Sequence, residues 1–474
     1  MIELNATVIR TQYANFEHLT AENVIFPTGL NACDSNENLV IGANNGSALT
    51  TGTQNVLLGC ASGTILTSGS YNILVGGNTG ISLTTSSDNV AVGFNALGAA
   101  TTGANNVAVG SGCLDELTTS NDNVAVGFNA LGAATTGANN VAVGSGCLDA
   151  LTTSSDNVAV GFNALGAATT GANNVAVGSG CLDALTTSSN NVAVGFNALG
   201  AATTGSNNVA VGSGCLDALT TGGDNVGVGF NALGAATAGT DNVGIGFNAL
   251  LTATTGSNNV AIGSSALERS TSATDNVACG ARSLFSLVTG TNNIAVGKSS
   301  LESLTSASSN IAIGTGALSS ATAGSGNIAI GLSALDALLT TSNNIGIGQN
   351  SLGTQFSGDH NVSMGAASGL RLTTGSNNVF IGGNAGEFTD TGSSNIVIGK
   401  GADIGASTVS QCIMLSTTGA SAGPANGNNQ LLLGGISTSA SISAGAGVAI
   451  PGTVAAALPI WVGSTLYHIP LFLP

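Results

Sequence analysis

From Leu39 onward the chain repeats one short pattern: a polar Asn, an aliphatic residue, a small residue, a second aliphatic residue and a Gly. Asn89-Val90-Ala91-Val92-Gly93 is followed by the same phrase at Asn106 and again at Asn123, which fixes a period of 17 residues. Two versions of the intervening stretch alternate, so the full period is 34 residues. The first aliphatic place falls at Leu39, Val56, Ile73 and Val90 and continues in phase to Ile396, giving about 22 coils. Fixed-period phrases of this length are stacked supersecondary units that bury a continuous core only together. The pattern predicts an all-β parallel solenoid or β-roll with one short strand per coil.

Each fixed place has a physical reading. Side chains alternate across a strand, so the two aliphatic residues share one face and the small residue between them points to the other. Gly93, Gly110, Gly127, Gly144 and Gly161 end the phrase in successive coils and allow the positive φ of a sharp corner. Asn89, Asn106, Asn123, Asn140 and Asn157 stand at one corner of successive coils, where stacked side-chain amides form a ladder that fixes register. Asn95-Ala96-Leu97, or Gly112-Cys113-Leu114 in the alternate version, returns the chain with its Leu toward the Val pair. Thr101-Thr102-Gly103 and its equivalents supply the outer turn.

The small row, Ala91, Ala108, Ala125, Ala142 and Ala159, carries a further expectation. A strand with apolar residues on both faces is buried on both, and persistently small side chains suit close approach of another backbone. These alanines are therefore expected at an inter-chain face around a shared axis. The other reading is a narrow single-chain solenoid that needs small residues inside. Body coils carry Leu at the eighth place, from Leu97 to Leu352, whereas outer coils carry Gly46, Gly63, Gly80, Gly369 or Gly386 there.

The ends depart from the period. Residues 1–37 read as an attachment or capping segment, 38–415 as the repeats, 416–447 as a Ser/Ala/Gly-rich transition and 448–474 as a closing module. In the last, two aliphatic runs flank Gly463-Ser464 as a β-hairpin, with Trp461 and Tyr467 as a terminal contact.

Composition narrows the function. With 6 Lys plus Arg against 23 Asp plus Glu, no basic stripe is available for phosphates, so nucleic acid is not an expected partner. No run is long and apolar enough to insert in a bilayer, and the first residues have no secretory pattern. Cys113, Cys147, Cys181 and Cys215 recur every 34 residues, two coils apart, and read as small buried thiols of a chain assembled in a reducing cytoplasm. Asp115, Asp149, Asp183 and Asp217 keep the same interval, too far apart to share one calcium ion. His18, His360 and His468 lie in different modules, so no catalytic or metal-binding cluster is expected and no cofactor is called for. Gly110-Ser111-Gly112 has Asp115 where a nucleotide loop needs its third Gly.

The Asn-[Val/Ile]-Ala-[Val/Ile]-Gly phrase with Asn-Ala-Leu and Thr-Thr-Gly resembles the head repeats of trimeric autotransporter adhesins. It resembles more closely the longer repeats of phage and large DNA virus fibres. The resemblance covers Asn38 to Gly399. It implies a left-handed β-roll in which three chains pack with their strand phrases near the three-fold axis. The shorter repeats, signal peptide, coiled-coil stalk and membrane anchor of the bacterial heads are not visible. The implied function is a non-enzymatic homotrimeric fibre on a virion surface, assembled in the cytoplasm and contacting a host receptor or another virion protein. The alternatives are a subunit of a head-to-tail extracellular filament or adhesin and, less favoured, an ice-binding solenoid. Thr101 and Thr102 are adjacent in a turn, unlike the Thr-x-Thr of a flat ice-binding face.

Overall fold

The computed structural model describes residues 34–405, 407–416, 427–434, 454–462 and 465–472, the last two segments as backbone. Residues 1–33 of the expected attachment segment, and most of the expected transition, lie outside the described residues. The fold is an all-β parallel solenoid. Strands β1 (Leu39–Ile41) through β22 (Ile396–Ile398) contain three residues each, and β23 (Ile413–Ser416) continues the series. From β1 to β23 each pairs in parallel with the next in strict 17-residue register: Val90 faces Val107, which faces Val124. The sheet then takes on β24 (Leu431–Gly434) and β25 (Val454–Val462), and β26 (Thr465–Phe472) returns antiparallel, pairing Trp461 with Leu466 and Tyr467 with Ile460.

Each strand is short because the chain turns at the Gly that ends it. Gly93 and Gly110 have φ +139°, Gly127 has +141°, and Gly144 and Gly161 have +138° and +137°, so the expected positive-φ corner is present at all five. A side chain there would collide with the carbonyl of the equivalent Gly in the coil above, as Gly144 would with Gly161 O, so stacking as well as φ excludes any other residue. Beyond that corner the backbone enters the left-handed region twice more, at Asn95 (φ +60°) and Leu97 (φ +56°), and the pattern recurs at Asn129 and Leu131. A left-handed Leu is costly by itself, about 1 to 2 kcal/mol. Stacking holds it: Leu97 N donates to Cys113 O of the next coil at 3.0 Å, and Leu131 N to Cys147 O at 3.0 Å. The backbone hydrogen bonds thus run along the stack, from coil to coil.

The interior is one column of Ala, Leu and Cys. Ala91, Ala96, Leu97 and Ala100 of one coil are fully buried, as are Ala108, Cys113, Leu114 and Leu117 of the next.

Candidate interaction faces

The polar corner is built from the Asn row. Asn106 Oδ1 accepts from Asn123 N at 3.1 Å and from Asn123 Nδ2 at 3.3 Å, while Asn106 Nδ2 donates to Ser120 O at 3.0 Å. Asn140 and Asn157 repeat the arrangement at 3.0 to 3.2 Å, and Asn89 is held by Asn72 at 3.1 Å. These side chains are fully buried, and their amides are satisfied by the ladder together with backbone carbonyls and the backbone N of the next coil. The first rung ends on a residue that sequence reasoning passed over. Asp34 Oδ1 accepts from Asn38 N at 2.9 Å in place of an earlier Asn, and this bond holds the Asp34 carboxyl below its ordinary range. The signal available was an acid four residues before the first ladder Asn. At the other end Cys412 N donates to Asn395 Oδ1 at 3.0 Å and the amide series stops.

The small row corrects an expectation. Ala91, Ala108, Ala125, Ala142 and Ala159 lie inside their own chain at 0% exposure, so they are not an inter-chain face. The reason is shared volume. A Cβ on Gly346, at the Ala91 place, would lie 3.0 Å from Leu335 Cγ, the eighth-place Leu of the coil below. In outer coils the roles reverse: a Cβ on Gly63, at the Leu place, would lie 3.0 Å from Leu74 Cδ1. The middle and eighth places fill one slot from opposite walls. Leu97 consequently packs with the small row and not against the Val pair, which faces outward.

That outward face is apolar. Val143, Val177, Val194 and Val211 are 36 to 37% exposed, Ile245, Ile262, Ile313 and Ile330 are 36 to 40% exposed, and the first-place residues are half-buried, as Val90 is, or exposed, as Ile73 and Ile294 are. No charged residue occupies the first or third place in any of β1 to β22, and only Cys279 and Met364 break the run of Val, Ile and Leu. At about 4.8 Å per strand and about 10 Å of width, the strip covers on the order of 1,000 Å². Beside it in sequence, Phe94, Phe128, Phe162 and Phe196 are each 60% exposed.

The remaining rows have less to offer. Thr101 Oγ1 donates to Thr118 O at 3.0 Å and Thr135 Oγ1 to Thr152 O at 2.9 Å, so the first Thr of each turn is spent on the stack. In these coils the second, as in Thr102 and Thr119, is the exposed one. The thiols of Cys113, Cys147 and Cys181 donate to Gly127, Gly161 and Gly195 carbonyls at 2.5 to 2.6 Å. Burial raises their pKa and pushes Cys215 up to about 12, which suppresses the reactive thiolate. Asp149 and Asp217 are likewise raised by burial. Among the described residues, no group of three or more His, Cys, Asp or Glu side chains is placed to hold a metal ion, and no helix is long and apolar enough to cross a membrane. Comparison with known proteins adds no relative: no family model, curated protein or solved structure matches the chain.

Proposed function

We propose that the protein is a non-enzymatic structural fibre, assembled as a homotrimer whose chains meet through the Val/Ile face. The carrying observation is that uncharged strip along the whole stack. A monomer's largest apolar patch is typically about 300 to 600 Å². A stable interface takes about 800 Å² from each partner, so the strip supplies about one such interface, which a trimer shares between two neighbours. A second copy has the same spacing between strands, so aliphatic rows can mesh along the full length with no charge to desolvate. The sequence resemblance supports three chains and a virion surface or tail fibre contacting a host receptor or another virion protein. The strip carries no Lys or Arg with which to engage a polymer phosphate.

Native mass spectrometry is the first test, with a trimer expected. The Val143→Asp, Val177→Asp, Val211→Asp triple variant should lose the trimer and aggregate or unfold. Cys279, at a third place on the strip, should resist maleimide until the protein is denatured. A soluble, folded monomer with a freely reactive Cys279 overturns the reading. Electron micrographs should show rods of one length, since indefinite filaments would favour head-to-tail polymerisation. Antibodies to the chain should label intact particles if it belongs to a virion.

A further inference from the structure

Between Val90 and Asn225 two kinds of coil alternate. One reads Phe-Asn-Ala-Leu-Gly-Ala-Ala after its corner Gly, and the other Ser-Gly-Cys-Leu-Asp, followed by Ala or Glu and then Leu. The two fit each other and not themselves. A Cβ on Gly132 of a Phe coil would sit 2.8 Å from Asp149 Oδ1, which leans across from the Cys coil above. Gly166 meets Asp183 at 2.8 Å and Gly200 meets Asp217 at 2.7 Å in the same way. On the next row the roles exchange: Gly112 and Gly146 of Cys coils leave room for Asn129 and Asn163 of the Phe coils above, each 2.6 Å from a built Cβ. The core alternates too. Ala100, Leu117, Ala134, Leu151, Ala168 and Leu185 succeed one another at one buried place, and Cys alternates with Ala at another. Such alternation of large and small keeps a narrow core filled without strain.

We propose that the coil pair, 34 residues, is the indivisible unit of length in this part of the rod: a Phe coil seats on a Cys coil, and neither seats on its own kind without repair. The chain contains one such repair. Two Phe coils meet at residues 226–242 and 243–259, and the packing there differs from that of the regular pairs. Leu251 takes the ninth place, its Cδ1 3.3 Å from a Cβ built on Gly234, and the Phe230 and Phe247 rings stack with centroids 5.6 Å apart; Gly244, like Gly227 of the coil below, stands at the usual Ala place. Likewise, where Leu287 and Leu304 succeed each other in the core, Ser283 and Ser300 stand at the Cys place.

Three deletions in the full chain test this. Removing 141–157 brings two Phe coils together, removing 158–174 brings two Cys coils together, and removing 141–174 takes out one pair; all keep the strand phrase in phase. The pair deletion should melt with the parent, while both single-coil deletions melt lower and are digested faster by proteinase K. Single-coil deletions that melt with the pair deletion overturn the proposal. Point variants decide the matter if a deletion fails to fold. Gly132→Ala should lower the melting temperature, since its φ is unstrained and Asp149 alone lies close to the new methyl. Asp149→Ala in the coil above should abolish that loss, and Asp115→Ala in the coil below should not. Equal rescue by both, or rescue by neither, also overturns it.

Discussion

The outer coils and the body coils share one backbone and one register but fill their interior from opposite sides. Near the ends the middle strand residue is large, as in Leu57, Leu74 and Phe380, and the eighth place is Gly63, Gly80 or Gly386; in the body the middle place is Ala or Gly and the eighth is Leu. All these apolar side chains are fully buried. The lesson is that the column's volume is conserved while its supplier changes, so neither place can be interpreted without the other.

That comparison can be attacked where it is most exposed. Phe380 lies against two glycines: Cβ atoms built on Gly369 and Gly386 would be 2.7 and 2.5 Å from its ring. Phe380 heads the fully buried side chains by volume, so Phe380→Ala should cost about 3 to 5 kcal/mol, read as a lower melting temperature or accelerated exchange in β21 (Val379–Ile381). In the body the slot is already full. Ala159→Leu should cost about 1 to 3 kcal/mol by overpacking. Leu148→Gly, which empties the slot from the other wall and relieves a left-handed φ of +51°, should restore much of the loss. Thr152→Leu, in an outer turn, loses only its hydroxyl bond to Thr169 O and should cost less, about 1 kcal/mol. Failure of the Leu148→Gly rescue would separate the two places and undo the shared slot.

The smallest effect distinguishes the two ends. The Asp34 carboxyl is held below its ordinary 3.8 by the backbone hydrogen bond from Asn38. Its contribution is complete above that value and is lost as pH falls through its lowered folded value. Asp403, buried at the last regular coil, is raised above 3.8, first by burial and further by Glu387 and Asp390. It binds its proton more readily when folded, so the coil gains stability as pH falls through that raised value toward 3.8. Mildly acid solution should therefore tighten β22 before stronger acid loosens β1, measured by hydrogen exchange corrected for its intrinsic pH dependence.

Period, strand position and parallel architecture were legible because Asn, Gly and paired aliphatics mark every coil. The direction of Val-x-Val was not. Burial preference puts the larger side chain inside, and Val90 and Val92 outrank Ala91 on that scale, yet a narrow column already occupied by Leu97 leaves room only for the Ala. The opposing changes at Leu74 and Gly80, or Phe380 and Gly386, were visible as separate patterns; their meaning lay in the contact between them. Likewise the 34-residue period was plain, but that Asp149 leans over Gly132 depends on how one coil seats on the next. The C-terminal hairpin register, with Trp461 beside Leu466, follows the two aliphatic runs.

The hydrogen bonds that hold left-handed Leu97 and its counterparts run along the stack, and this has a mechanical meaning. A pull on the two ends of one chain loads those bonds in series along their own direction, so coils should peel away singly and not rupture together. Each released coil frees 17 residues, about 55 to 60 Å of extended chain. A single-molecule force trace should show a regular sawtooth of that spacing, and neighbouring copies along the Val/Ile face would raise each tooth without changing its interval. A rod built this way should yield to overload by lengthening one coil at a time.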